Sequence, residues 1–135
     1  MAYLVGAALA LGVAAFAALT GLDRDRAFYP TLLIVVASYY DLFAVMAGSG
    51  PALASESLAL AVFAGLAVLG FRTSLWFVAV GLAAHGLFDF FRGGLIANPG
   101  VPPWWPMFCL GFDLVAAACL AGLLVRRAGH ARRLP

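Results

Sequence analysis

The sequence predicts an all-α protein: a polytopic bundle of five transmembrane helices with its N-terminus outside and its C-terminus inside. Three observations lead there. Apolar residues fill 65% of the 135 positions and charged residues only 10%, an excess that a water-soluble domain of this length cannot bury, so the bilayer must act as solvent. The apolar residues fall in runs long enough to cross a hydrocarbon core. The arginines, the only strong cations in a chain without lysine, collect at alternate breaks between those runs. The net charge of +2 is small and dispersed, which argues against a nucleic-acid partner and leaves the lipid bilayer as the expected one.

Residues 2–21 form the first run and carry no charge. No basic residue precedes it and its apolar core is longer than that of a signal peptide, so it reads as a retained span. Gly6, Ala10, Ala14 and Ala17 recur at steps of three and four, the spacing of a helix-packing stripe. Asp23, Arg24, Asp25 and Arg26 end the span as a solvated turn with local ion pairs. Tyr29 and Pro30 mark the membrane interface, and proline suits the opening of the next helix.

The second span is residues 31–48, where Ser38, Asp41, Ala44 and Gly48 fall near one face with Tyr39 and Tyr40 beside them. A carboxylate at a helix centre costs about 2.5–3.5 kcal/mol in lipid. Asp41 is therefore expected to face the bundle interior, in a functional group or hydrogen-bonded to a tyrosine. Gly50 and Pro51 read as a tight turn. The third span, residues 53–70, is expected to be the shortest; Ser55 and Glu56 open it, and the helix dipole favours an acid in a first turn.

Residues 71–74 form a turn holding Arg72, with Ser74 as an N-cap. The fourth span, residues 75–92, carries His85, Asp89 and Arg92 at i, i+4 and i+7, which places an imidazole, a carboxylate and a guanidinium on one narrow stripe. In the loop 93–106, four of the last eight residues are proline, which excludes a regular helix. Trp104 and Trp105 set this loop at headgroup level, as an interfacial anchor or a lid. The fifth span, residues 107–125, is interrupted by Asp113, with Cys109 one turn earlier on the same face. Cys109 and Cys119 lie roughly 15 Å apart along that helix, too far for a disulfide, and read as small buried apolar groups. Arg126, Arg127, Arg132 and Arg133 around His130 form a juxtamembrane basic stop. No linker, second domain or inverted repeat interrupts this single domain over 1–135.

With five spans, Arg24, Arg26, Arg72, Arg126, Arg127, Arg132 and Arg133 share one face and Arg92 alone lies on the other. The positive-inside rule then places the C-terminus inside. In that topology Asp41, His85 and Asp113 converge about 10 Å below the outer surface, counting about 1.5 Å per residue. Asp89, Arg92 and Glu56 lie above them. Three carboxylates at such depth would cost about 8–10 kcal/mol, so protonation, pairing with His85 and Arg92, or a bound cation must offset them. A divalent metal, zinc or manganese, held by His85, Asp89, Asp41 and Asp113 suits the donor types.

Four segments carry a resemblance: Asp-Arg-Ala-Phe-Tyr-Pro at 25–30, Ala-Ser-Tyr-Tyr at 37–40, His-Gly-Leu-Phe-Asp at 85–89 and Asn-Pro-Gly-Val-Pro-Pro-Trp-Trp-Pro at 98–106. Together they resemble an uncharacterised family of small bacterial polytopic membrane proteins. The resemblance covers most of the chain and implies a multi-pass protein of the bacterial inner membrane; it assigns no catalytic residue. The first span lacks the glutamate of small multidrug transporters. The chain also lacks the several-histidine pattern of the seven-span hydrolases related to alkaline ceramidases.

Three function classes follow. A membrane-embedded enzyme, or a binding protein, would act on a lipid-like or small-molecule ligand through Asp41, His85, Asp89 and Asp113 as catalytic groups. Tyr39, Tyr40, Glu56, Arg92, Trp104 and Trp105 would contact that ligand. A transporter or proton-coupled carrier would need a polar path to the inner face, which a homodimer would have to supply. A structural membrane protein would use the same cluster as a buried ion-pair network that specifies helix packing.

Overall fold

The computed structural model describes residues 1–131. Among these residues it contains five α-helices and no strand: α1 (Ala2–Thr20), α2 (Phe28–Met46), α3 (Gly50–Arg72), α4 (Trp76–Phe91) and α5 (Trp105–Ala131). Arg132 and Arg133, expected in the basic C-terminal stop, lie outside the described residues. The helices α1, α2, α3 and α5 are long and apolar enough to cross a membrane.

The shortest helix is α4, with 16 residues, and not the third, which has 23. The third helix starts earlier than expected because Gly50 and Pro51 belong to its first turn. Pro51 has no N–H to leave unsatisfied there, and the Ser49 side chain accepts the Ala52 N–H at 3.3 Å. The turn before it shrinks to three residues around Gly48, whose φ of 64° suits a residue without a Cβ. At the other boundary α5 starts at Trp105 and continues past 125, so Arg126 and Arg127 are helical residues.

Helix packing follows the small residues. On α1, Gly6, Ala10 and Ala17 are buried, and the helix packs on α5. A Cβ on Gly6 would collide with the Phe108 carbonyl, and one on Gly111 with the Tyr3 carbonyl, so the two backbones touch. Between α4 and α5, a Cβ on Gly86 would come within 3.1 Å of the Asp113 Cβ. This close approach sets His85 of α4 beside α5. Helix α4 packs against α2, α3 and α5, which makes it the most enclosed helix. Around the bundle's middle, Leu33, Val36, Phe63, Val78, Leu82, Phe112 and Leu120 form a continuous apolar core.

The two ends differ. At one end Arg26 donates to the last carbonyls of α3, at Phe71 (2.5 Å), Thr73 (2.7 Å) and Gly70 (3.2 Å). Asp25 accepts the Ala27 N–H at 2.8 Å, and Arg127 donates to the Asp23 carbonyl at 2.8 Å. The expected local ion pairs within 23–26 do not form among the described residues. The final carbonyls of a helix have no intrahelical donor, and a guanidinium with several N–H groups satisfies them better than it would a flexible neighbour. The opposite end gathers the α2–α3 turn and the 95–104 loop over a set of buried polar residues.

Replacing Gly6 by Leu is expected to lower stability in detergent by about 1–3 kcal/mol by prising α1 from α5. Gly12→Leu, at a position where a Cβ meets nothing within 4 Å, should leave stability unchanged. Thermal or SDS-titrated unfolding of the purified variants measures both.

Candidate functional site

Two helices build the centre of the site. His85 and Asp89 stand one turn apart on α4, and Asp113 reaches them from α5; all three are buried, at 1%, 0% and 0% exposure. The His85 Nδ1 lies 2.7 Å from Asp113 Oδ2 and 3.5 Å from Asp89 Oδ2. An imidazole nitrogen carries one proton, so Nδ1 committed to Asp113 leaves nothing for Asp89. Both Asp89 oxygens and Asp113 Oδ1 are buried without a hydrogen-bond partner. The Tyr40 hydroxyl and the Cys109 thiol face Asp89, but Tyr40 is not aimed to close a hydrogen bond. Phe63 meets the imidazole edge-on, with ring centroids 4.7 Å apart, so that side of the histidine is sealed by hydrocarbon.

A second polar layer lies above the first. Arg92, in a short 3-10 turn that follows α4, forms an ion pair with Glu56 of α3, both almost fully buried. Its guanidinium carbon sits 4.0 Å from the centroid of the Tyr40 ring, a cation–π arrangement. Asn98 donates to both the Tyr40 carbonyl and Glu56 Oε1, each at 3.0 Å, and accepts the Gly100 N–H at 3.1 Å. Gly100 abuts the Phe43 carbonyl so closely that no side chain would fit. The 95–104 loop is thereby pinned down onto the ends of α2 and α3. Along it an open cavity of about 590 Å³ is lined by Arg92, Ile96, Asn98, Val101, Pro102 and Pro106 among others, and the Nε of Arg92 has no hydrogen-bond partner.

The expected residues separate into those that meet and those that do not. His85, Asp89 and Asp113 meet, with Tyr40 beside them and Arg92 and Glu56 above. Asp41 lies apart: Ser57 Oγ donates to its Oδ1 at 2.5 Å across the α2–α3 interface. The buried stripe of α2 is Leu33, Val36, Ala37, Tyr40 and Ala44, and a neighbour in sequence is turned about 100° from it, so Tyr40 faces the centre and Asp41 the flank. Its partner is a serine, not a tyrosine. Glu56 is the seventh residue of α3 rather than a first-turn acid, and it acts as a counter-charge. Tyr39 and Trp104 are 38% and 54% exposed. Trp105 packs against Tyr39, Phe43 and Phe108; neither tryptophan lines the cavity. Asn98 went unrecognised because asparagine before Pro-Gly reads as a turn former, and Cys109 because a cysteine in an apolar run reads as filler.

The fold and site define an all-helical protein, four of whose helices are long and apolar enough to cross a membrane, with a His-Asp-Asp group buried beneath an Arg-Glu pair. No protein-family model, curated protein or solved structure matches the chain.

Glu56→Ala strands the Arg92 charge in a buried site and is expected to cost about 3–5 kcal/mol, whereas replacing both residues by leucine should cost less than that single change. A double-mutant cycle on unfolding in detergent tests the difference.

Proposed function

We propose that this chain is a multi-pass protein of a bacterial inner membrane, with all five helices crossing, its N-terminus outside and its C-terminus inside. It holds an acid/base centre at membrane depth that acts on or binds a lipid-like or small-molecule ligand entering from the outer face. The observation that carries this reading is the convergence of two buried, under-satisfied carboxylates, Asp89 and Asp113, on the His85 Nδ1. Polar groups without partners inside a membrane are expensive, and residues kept at that cost are as a rule functional. A purely structural network would gain by satisfying those oxygens.

In this reading His85 is the acid/base group or a metal ligand, and in the ion-free site Asp113 orients its ring through Nδ1. Asp89 is the second carboxylate, and Arg92, which borders the open cavity along the 95–104 loop, meets an anionic part of the ligand. A hydrolase or isomerase on a lipid-like substrate fits this equipment. The carrier alternative needs a polar route to the other end, and the core residues toward that end are Leu33, Val36, Ala67, Val78, Leu82 and Leu120; a homodimer would have to provide one. The orientation rests on Arg26 and Arg127, which cap helix and loop carbonyls at one end, while Arg92 at the other end is neutralised by Glu56.

Reporter fusions at Gly50 and after Arg133 are expected to fall on opposite sides of the membrane, and a shared side overturns the five-span topology. A cysteine replacing the exposed Ala97 should react with an impermeant maleimide from outside. Mass spectrometry of ligands that copurify with the wild type, and are lost in Arg92→Ala, tests the binding role of the cavity.

A further inference from the structure

We propose that His85, Asp89 and Asp113 bind one divalent cation, of the zinc or manganese kind, through His85 Nδ1 and one oxygen of each aspartate. The inference rests on the reading above of these residues as a functional site, and names what fills it.

Geometry comes first. One donor atom from each residue lies within 4.8 Å of the others. Zinc–ligand bonds of about 2.0–2.2 Å in a tetrahedral shell put donor atoms about 3.4 Å apart. Asp89 Oδ2 already stands 3.5 Å from Nδ1. Asp113 Oδ2, at 2.7 Å, is at hydrogen-bond distance and would retreat slightly once the Nδ1 proton leaves. The small residue at Gly86 holds the two helices close enough for this convergence. Three protein donors of nitrogen and oxygen type leave a further coordination position open, the pattern of a catalytic rather than a structural site.

Charge balance points the same way. Asp89 and Asp113 bring two negative charges into a shell otherwise made of Phe63, Tyr40, Cys109 and the imidazole. The nearest strong cation, Arg92, is paired with Glu56, so that pair is neutral by itself. A divalent ion cancels the two aspartates and leaves the imidazole neutral, as a ligand must be. It also gives one of the two orphaned Asp89 oxygens a partner. One added proton would leave a net charge in the dry shell; two, on His85 and Asp89, would cancel it, and a wild type that takes up no ion at any loading is the outcome that favours them.

The test is elemental analysis of the full-length protein, purified in detergent without chelator, before and after loading with Zn²⁺ or Mn²⁺ alone. The expected result is about one ion per chain, and Co²⁺ substitution should give d–d bands of a low-coordinate N/O site. His85→Ala and Asp89→Asn are expected to weaken binding at least about tenfold, while Asp41→Asn leaves it unchanged. Asp89→Glu, which keeps the charge and the donor, should retain the ion with a shifted Co²⁺ spectrum, and this controls for loss of fold. A wild type that takes up no stoichiometric ion at any loading overturns the proposal, as does an Asp41→Asn variant as defective as Asp89→Asn. If the wild type is metal-free yet Ala97→Cys still labels from outside, the cation fails and the outward-facing site stands. If the ion binds but Ala97→Cys labels only from inside, the orientation fails and the cation site stands.

Discussion

The contact between His85 and Asp113 across the α4–α5 interface is the constraint on which the rest of the structure turns. The imidazole and the carboxylate meet at 2.7 Å where α4 and α5 approach closely, and Gly86, at which a Cβ would come within 3.1 Å of the Asp113 Cβ, leaves room for that approach. Once α4 is held there, Asp89 follows one turn later into the same enclosure, because i and i+4 share a face. The surroundings then have to be dry and close-fitting, which Phe63 and Tyr40 supply. In a medium of low dielectric each unpaired charge is costly, so the polar residues sort into compact groups: Arg92 with Glu56 in one layer, the histidine and two aspartates in another.

That sorting is one-sided. Polar residues occupy one end of the bundle, hydrocarbon the middle, and backbone-capping arginines the other end. Arg26 and Arg127 spend their N–H groups on carbonyls of α3 and of the first loop, and so tie together segments that a five-crossing topology would bring to a common face. The asymmetry separates the function classes. A relay through the chain would need polar side chains on both sides of the midplane, whereas a binding or catalytic centre needs them on one.

Much of this was legible in the sequence, and the misses share a physical cause. Runs of apolar residues located the helices, because backbone hydrogen bonding leaves lipid-embedded chain little choice but helix. The stripe of Gly6, Ala10, Ala14 and Ala17, of which Ala14 is only half-buried, and the His85-Asp89 spacing were legible because helical periodicity alone decides them. Asp41 was misplaced because α2 is apolar nearly all round: hydropathy says that a carboxylate must avoid lipid but does not say which neighbour it turns to. The early start of α3 escaped because Pro51 is as good at a helix N-terminus as in a turn. Arg26 escaped because bonds to main-chain carbonyls of a distant helix leave no trace in local charge pattern.

Tyr40 shows how the two polar layers and the loop become one device. Its backbone carbonyl accepts from Asn98, its ring lies under the Arg92 guanidinium, and its hydroxyl faces Asp89 without a hydrogen bond. Asn98 in turn holds Glu56, the counter-charge of Arg92. The Arg92 guanidinium is therefore held on two sides, by the Tyr40 ring and by Glu56. The same Tyr40 side chain also lies beside Asp89. Tyr40 thus touches the Arg-Glu pair above and the His-Asp-Asp group below, a link that a simple apolar plug between the two layers would not give.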